Sequence, residues 1–231
     1  MEQTSGHTLK AFDQDIDRLR ALISQMGGLA EHAIGEAMRC LIQRDTEGAL
    51  KVVENDRKLD ALEVEAERRA VQLIALRAPM AGDLRDVVAA LKISGVVERI
   101  GDYAKNIAKR VPLIESASKI EPISLLPEMA RIATGMVHDV LDAFVQRDAE
   151  VAVQVCERDA AVDDFYDSIF RTLLTHMMEN PHTIGHAAHL LFVAKNLERV
   201  GDHATNIAEM VFYAATGQHM TDRNRSEKLP G

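Results

Sequence analysis

Eleven residues recur one hundred positions apart in this chain of 231: Glu98-Arg-Ile-Gly-Asp102-Tyr-Ala-Lys-Asn106-Ile-Ala108 and Glu198-Arg-Val-Gly-Asp202-His-Ala-Thr-Asn206-Ile-Ala208, eight of them identical. A duplication of this kind restricts the chain to folds built from two similar units with the same order of elements. It reaches beyond the motif. Gln43-Arg44-Asp45 returns as Gln146-Arg147-Asp148, Asp56 and Asp60 return as Asp159 and Asp163, and Pro79 returns as Pro181. The offset drifts from 103 to 102 to 100, which places small gaps near turns and leaves the long segments ungapped.

The core these units can build is aliphatic. Hydrophobic residues make up 47% of the chain, but only 4% is aromatic and Trp is absent, which favours helices over sheets. Apolar residues from about Leu9 to Gln43 (Ile16, Leu19, Ile23, Met26, Ala30, Ala33, Ala37, Leu41) advance by threes and fours, as in an amphipathic helix. Thr46 is the expected N-cap of a second helix that runs to about Ala78 and is stopped by Pro79. A third spans about Gly82 to Val111, where Pro112 breaks it. The second half repeats the plan over about Leu125 to Gln146, Asp148 to Glu179 and Thr183 to Thr216.

The expected architecture is therefore all-α, two tandem similar three-helix bundles made of six long antiparallel helices. The first repeat covers residues 1–115 and the second 124–216. Between them lies a linker, 116–123, in a stretch rich in proline and serine (Pro112, Ser116, Ser118, Pro122, Ser124, Pro127), and a polar, flexible tail, 217–231, follows.

Charge and cysteine usage narrow the function. A net charge of −9 and a pI near 5.5 argue against nucleic acid, which demands a basic stripe, and against an anionic lipid surface. Cys40 and Cys156 are neither close nor at equivalent repeat positions, so no disulfide framework or cysteine metal motif is suggested. No apolar run is long enough for membrane insertion. A cytoplasmic protein is expected.

The chemistry lies in the acids. At helical pitch Glu98, Asp102 and Asn106 share one face, which continues the apolar stripe of Leu84, Val87 and Leu91. Antiparallel helices joined by a short turn bring residues equidistant from that turn level with each other. Asp56 and Asp102 are equidistant from Pro79, as are Asp60 and Glu98; Asp159 and Asp202, and Asp163 and Glu198, are equidistant from the Asn180–Pro181 bond. Each hairpin thus sets an Asp-x-x-x-Asp beside a Glu-x-x-x-Asp.

Carboxylates a few ångströms apart repel by ~1 kcal/mol in water and ~4 kcal/mol at an effective dielectric of 20, so each cluster needs protons, Arg or Lys partners, or bound cations. All-oxygen donors select magnesium, calcium, manganese or iron, with zinc also possible. The candidate metal ligands are Asp56, Asp60, Glu98, Asp102 and Asn106 in the first half and Asp159, Asp163, Glu198, Asp202 and Asn206 in the second. The asparagines either ligate or orient a ligating carboxylate. Without metal, Arg99 and Arg199 would neutralise the acids in a structural ion-pair network. Gly101 and Gly201, each ~1 kcal/mol worse than Ala inside a helix, call for a packing reason such as close approach of another helix. His176, His182, His186 and His189 near the second turn form a weaker candidate, since the first half has no histidine there.

On the two Glu-Arg-Ile/Val-Gly-Asp motifs, each followed by Asn-Ile-Ala, and the Asp56/Asp60 and Asp159/Asp163 pairs, the sequence resembles the PhoU family over nearly its whole length. The resemblance implies two similar three-helix bundles, each with an acidic motif pair able to hold a metal cluster, in a protein that often forms a homodimer. It further implies a non-enzymatic negative regulator of phosphate signalling and uptake, an adaptor between the ATPase subunit of the phosphate transporter and a phosphate-responsive sensor histidine kinase. The metals expected are divalent or trivalent: iron, zinc, manganese or magnesium. Tyr103 in the first motif becomes His203 in the second, a departure that would make the two sites differ in metal preference or occupancy if His203, about 100° from Asp202 on the helical wheel, faces the cluster. Two other readings compete. A ferritin-like di-iron carboxylate enzyme would need Glu-x-x-His, but positions 101 and 201 are Gly. A metal-free helical scaffold would use its faces for docking alone.

Overall fold

The computed structural model describes residues 2–114 and 124–220. Among them the elements are α1 (Glu2–Gln43), α2 (Thr46–Asn55), α3 (Arg57–Arg77), α4 (Gly82–Ala108), the single turn α5 (Val111–Ile114), α6 (Leu126–Gln146), α7 (Ala149–Glu157), α8 (Asp159–Glu179) and α9 (Ile184–Thr216), with a 3₁₀ turn at Pro181–Thr183 and no strand. Taking α2–α3 and α7–α8 as two kinked rods gives six long helices, three per repeat, in two similar bundles. The linker expected at 116–123 and residues 221–231 of the expected tail lie outside the described residues. Gly217, at φ 74°, caps α9 through its N–H to the Tyr213 carbonyl at 2.8 Å, and His219 stacks on Tyr213.

The helix boundaries follow from local chemistry, with three differences from the periodicity. The cap of α2 is Asp45, whose carboxylate accepts from the Gly48 N–H at 2.8 Å, so the expected N-cap Thr46 is already helical. Asp148 does the same for α7 through the Glu150 and Val151 N–H groups. Arg44 and Arg147 precede these caps with φ near 56° and 57°, so the repeated Gln-Arg-Asp is the corner between the first and second rods of each repeat.

The second rod is not one helix. It breaks at Asp56, and in the second repeat at Arg158, where the backbone tightens into i to i+3 bonds. Buried Val52 and Leu59, and Val155 and Val162, keep the apolar period across each kink, which is why the pattern reads as continuous. The kink places Asp56 just before α3 and Asp159 at its counterpart's first position, where the helix dipole favours a carboxylate. Finally, α4 ends at Ala108 rather than Val111, because the Pro112 ring opposes the carbonyl four residues back and has no N–H for it.

The two bundles share one core. α1 packs on α4 and α6, and α9 packs on α4, α6, α7 and α8, with α3 against α1 and α4. A single apolar cluster runs from Ile16, Leu19 and Ile23 through Ile93, Ile100 and Val137 to Leu197, Ile207 and Val211. One buried acid crosses between the halves: Asp86 accepts from Arg20 at 2.8 Å and pairs with Arg147 at 3.2 Å. Among the described residues no helix is long and apolar enough to cross a membrane.

Candidate functional site: the two acidic faces

Each face is the seam between the kinked rod and the motif helix, α3 with α4 and α8 with α9. The motif glycines let the helices close. A Cβ on Gly101 would stand 2.2 Å from Leu59 Cδ2 and 3.7 Å from Asp56 Oδ1, and one on Gly201 would stand 3.2 Å from Asp159 Oδ1. The close approach expected of these glycines is present, and it lays the first carboxylate of each Asp pair against the motif helix.

The hairpin register brings most of the predicted acids together. In the first repeat the Lys105 ammonium donates to both Asp56 Oδ2 and Asp102 Oδ1, with the Asp56 side chain only 8% exposed. At the other end of the seam, burial pushes the Glu98 carboxyl up, helped by the negative charges of Asp102, Glu63 and Asp60 and opposed by Arg99. In the second repeat, burial and the charges of Asp163, Asp202 and Glu198 push the Asp159 carboxyl up to about 6, and Asp202 moves in the same direction, mainly through burial. Asp60 and Asp163 are exposed at the rim. Asn206 is also exposed and lines a separate cavity of about 570 Å³ between α4 and α9, with Leu84, Arg85 and Met210. Leu84 is 38% exposed there, so the apolar stripe that leads to Glu98 begins at buried Val87.

The neutralising cations are not the expected arginines. Arg99 and Arg199 are exposed, and the Arg199 guanidinium sits 5.9 Å over the Tyr103 ring. Two lysines replace them in this role. Lys105 holds Asp56 and Asp102, and these hydrogen bonds raise its pKa despite the opposing effect of burial. Lys195 forms an ion pair with Glu198 and stands 5.2 Å over the Tyr166 ring. Glu63, Tyr166 and Lys195 were legible by the hairpin rule itself: Glu63 is level with Gly95, whose Cβ would lie 3.6 Å from Glu63 Oε1, and Tyr166 is level with Lys195. Lys105 follows from its i+3 spacing to Asp102.

The copies therefore differ at matched positions. Lys105 corresponds to Thr205, whose hydroxyl donates to its own helix at the Asp202 carbonyl. Gly95 corresponds to Lys195, and Glu63 to Tyr166. Among the described residues no three or more His, Cys, Asp or Glu side chains stand gathered as ligands of a metal ion. The donor chemistry nevertheless fits a hard cation at Asp159 and Asp202, where the Asp159 carboxylate lies against Gly201 and no lysine among the described residues bridges the pair. It does not fit one between Asp56 and Asp102, where Lys105 already donates to both. No three of the four histidines near the second turn gather as ligands, and His189 Nδ1 lies 3.1 Å from the Arg110 guanidinium of the first repeat.

The comparisons with known proteins agree with the fold. The family model described as PhoU domain matches residues 23–111 and again 126–211. A protein of Zymomonas mobilis, a phosphate-specific transport system accessory protein PhoU homolog, is 54% identical over 97% of this chain and 94% of its own. A homolog of the same name from Caulobacter vibrioides is 46% identical over 94% and 95%. The crystal structure of PhoU from Pseudomonas aeruginosa superposes with a TM-score of 0.85 at 34% identity, covering 90% of this chain and all 100% of that one. The crystal structure of the phosphate transport system regulatory protein PhoU from Streptococcus pneumoniae gives 0.84 at 26% identity, covering 90% and 99%. With both repeats matched and the acidic seams in place, this chain belongs to the PhoU family.

Proposed function

We propose that the chain is a non-enzymatic accessory regulator of a phosphate transport system, which restrains phosphate uptake and holds phosphate signalling down when phosphate is plentiful. In this reading it acts in the cytoplasm as a homodimer and bridges the transporter's ATPase subunit and a sensor histidine kinase. The observation that carries the proposal is the match, over more than nine-tenths of both chains, to relatives named as accessory proteins of phosphate-specific transport.

Within this role the second acidic seam, at Asp159 and Asp202, holds a metal ion that stiffens its bundle or presents a charged docking surface; manganese, magnesium, iron and zinc all suit such donors. A regulator needs no reacting group at the seam, only a surface whose charge depends on what is bound. The test is co-purification of the tagged chain from cells grown in high and in low phosphate. The ATPase subunit and the kinase should be recovered, in amounts that differ between the two conditions. Recovery of neither partner in either condition overturns the proposal.

A further inference from the structure

We infer that Lys105 and Lys195 are internal cations that close the two acidic seams at opposite ends, so that the Asp56–Asp102 pair takes no metal ion and the equivalent Asp159–Asp202 pair stays open to one. The part concerning Asp159 and Asp202 rests on the metal reading above; the part concerning Lys105 does not. Three matched exchanges support the inference independently of any single contact. Lys105 against Thr205 puts an ammonium between the level aspartates of the first repeat and an inward-bonded hydroxyl in the second. Gly95 against Lys195 moves the ammonium to the Glu198 end of the second seam. Glu63 against Tyr166 follows that move, since the aromatic face accepts the cation that the first repeat lacks at this level.

Each repeat thus keeps one lysine in its seam, displaced along the helix pair by about three turns. An ammonium with two carboxylate partners supplies one positive charge and aims N–H donors at lone pairs that a divalent ion would otherwise take, and because it is tethered to the chain it cannot be washed out or exchanged. A metal ion could enter between Asp56 and Asp102 only by displacing Lys105 from both bonds.

The experiment is Mn²⁺ binding to the full chain, measured by the loss of the free-ion electron paramagnetic resonance signal, with far-UV circular dichroism to confirm folding. Lys105→Met should bind one Mn²⁺ more per chain than the wild type, and Asp56→Asn in that background should remove the gain. Asp56→Asn alone should leave wild-type binding unchanged. Thr205→Lys, which adds the missing ammonium to the second seam, should lower binding relative to the wild type. If Lys105→Met gains nothing, or Asp56→Asn in the wild type loses Mn²⁺, the inference is overturned while the metal reading survives wherever the wild type binds. If the wild type binds no Mn²⁺ but Lys105→Met does, the role of Lys105 holds and the metal reading of the native protein falls. Should Lys105→Met fail to fold, Thr205→Lys decides, and unchanged binding there overturns the inference.

Discussion

Tyr103 and His203 occupy the same position in the two repeats and touch each other, their ring centroids 5.1 Å apart at 84° and the Tyr103 hydroxyl 3.4 Å from His203 Nε2. A residue that meets its own copy lies on the axis relating the copies. α4 and α9 therefore cross antiparallel about this point, in agreement with Arg110 over the Phe192 ring on one side and Gly217 against Arg85 on the other. The divergence of the motif at this position now has a physical reason. His203 Nδ1 lies 2.9 Å from the Arg199 carbonyl, which makes it the N–H donor and leaves Nε2 as the acceptor for the tyrosine hydroxyl. The pair belongs to the joint between repeats and not to a metal shell.

This contact predicts an acid-sensitive joint. Burial, aided by the charges of Arg99 and Arg199, outweighs the bond to the Arg199 carbonyl and the charge of Asp202 and holds the His203 pKa below its ordinary value, so the neutral ring is the folded form. A base whose folded pKa is depressed contributes stability that is full above its unfolded pKa of about 6.5 and is lost as the pH falls through that value. His203→Phe should reduce the fall in urea midpoint between pH 7.5 and pH 5.5. An equal fall in both proteins would show that the ring is not the sensor.

Asp159 predicts the opposite sign. Its carboxyl is pushed up to about 6 in the fold, by burial and then by the charges of Asp163, Asp202 and Glu198, so ionisation costs the folded state more than the unfolded one. Stability of the metal-free protein should therefore decline as the pH rises from about 4 to about 6. Asp159→Asn should raise the melting temperature in chelator at pH 7.5 and leave it nearly unchanged at pH 4. Added Mn²⁺ should raise the wild-type melting temperature and not that of the variant.

The glycines offer a packing test with an internal control. Gly28 in α1 has nothing within 4 Å of an added Cβ, so Gly28→Ala should stabilise the protein by about 0.5–1 kcal/mol from helix propensity alone. Gly101→Ala gains the same propensity but must displace Leu59, which is buried, and crowd the Asp56 carboxylate. The second substitution should be destabilising in urea titrations although both are Gly→Ala in a helix. A gain at both positions would mean that the seam has slack.

How far the sequence carried depended on whether a feature was periodic or local. The six rods, the proline turns and the level pairing of acids were legible because they rest on helical spacing and on hairpin symmetry about a proline visible in each repeat. The kinks at Asp56 and Arg158 were not, since Leu59 and Val162 continue the apolar stripe and the break costs the pattern nothing. The cations were misplaced because Arg99 and Arg199 adjoin the acids in sequence but are exposed, with Arg199 over the Tyr103 ring of the inter-repeat joint, whereas Lys105 and Lys195 lie three residues from Asp102 and Glu198 and share their face. The sharing of one core by both repeats was invisible for a related reason: Ala-rich faces on α1, α4, α6 and α9 read as ordinary core positions and do not reveal which helix covers them.

Asp86 joins the halves without belonging to either seam. Asp86 on α4 is 4% exposed and faces Arg20 of α1 and Arg147 of the α6–α7 corner, with no acid at the equivalent position, where the second repeat has His186. Burial pushes its carboxyl up even against the pull of the two guanidinium groups, a sign of how little water reaches it. Removing one partner of a buried ion pair strands the other, at a cost of about 3–5 kcal/mol, so Asp86→Ala should be destabilising on the order of 3 kcal/mol, with Asp86→Asn milder because it can still accept from Arg20. Because the acid ties both repeats at one end of the shared core, hydrogen exchange in Asp86→Ala should rise first at the end of α6, and at Ala143 and Phe144 before Ala130 and Ala133. Uniform acceleration along α6 would show instead that Asp86 acts on the fold as a whole and does not clasp this end.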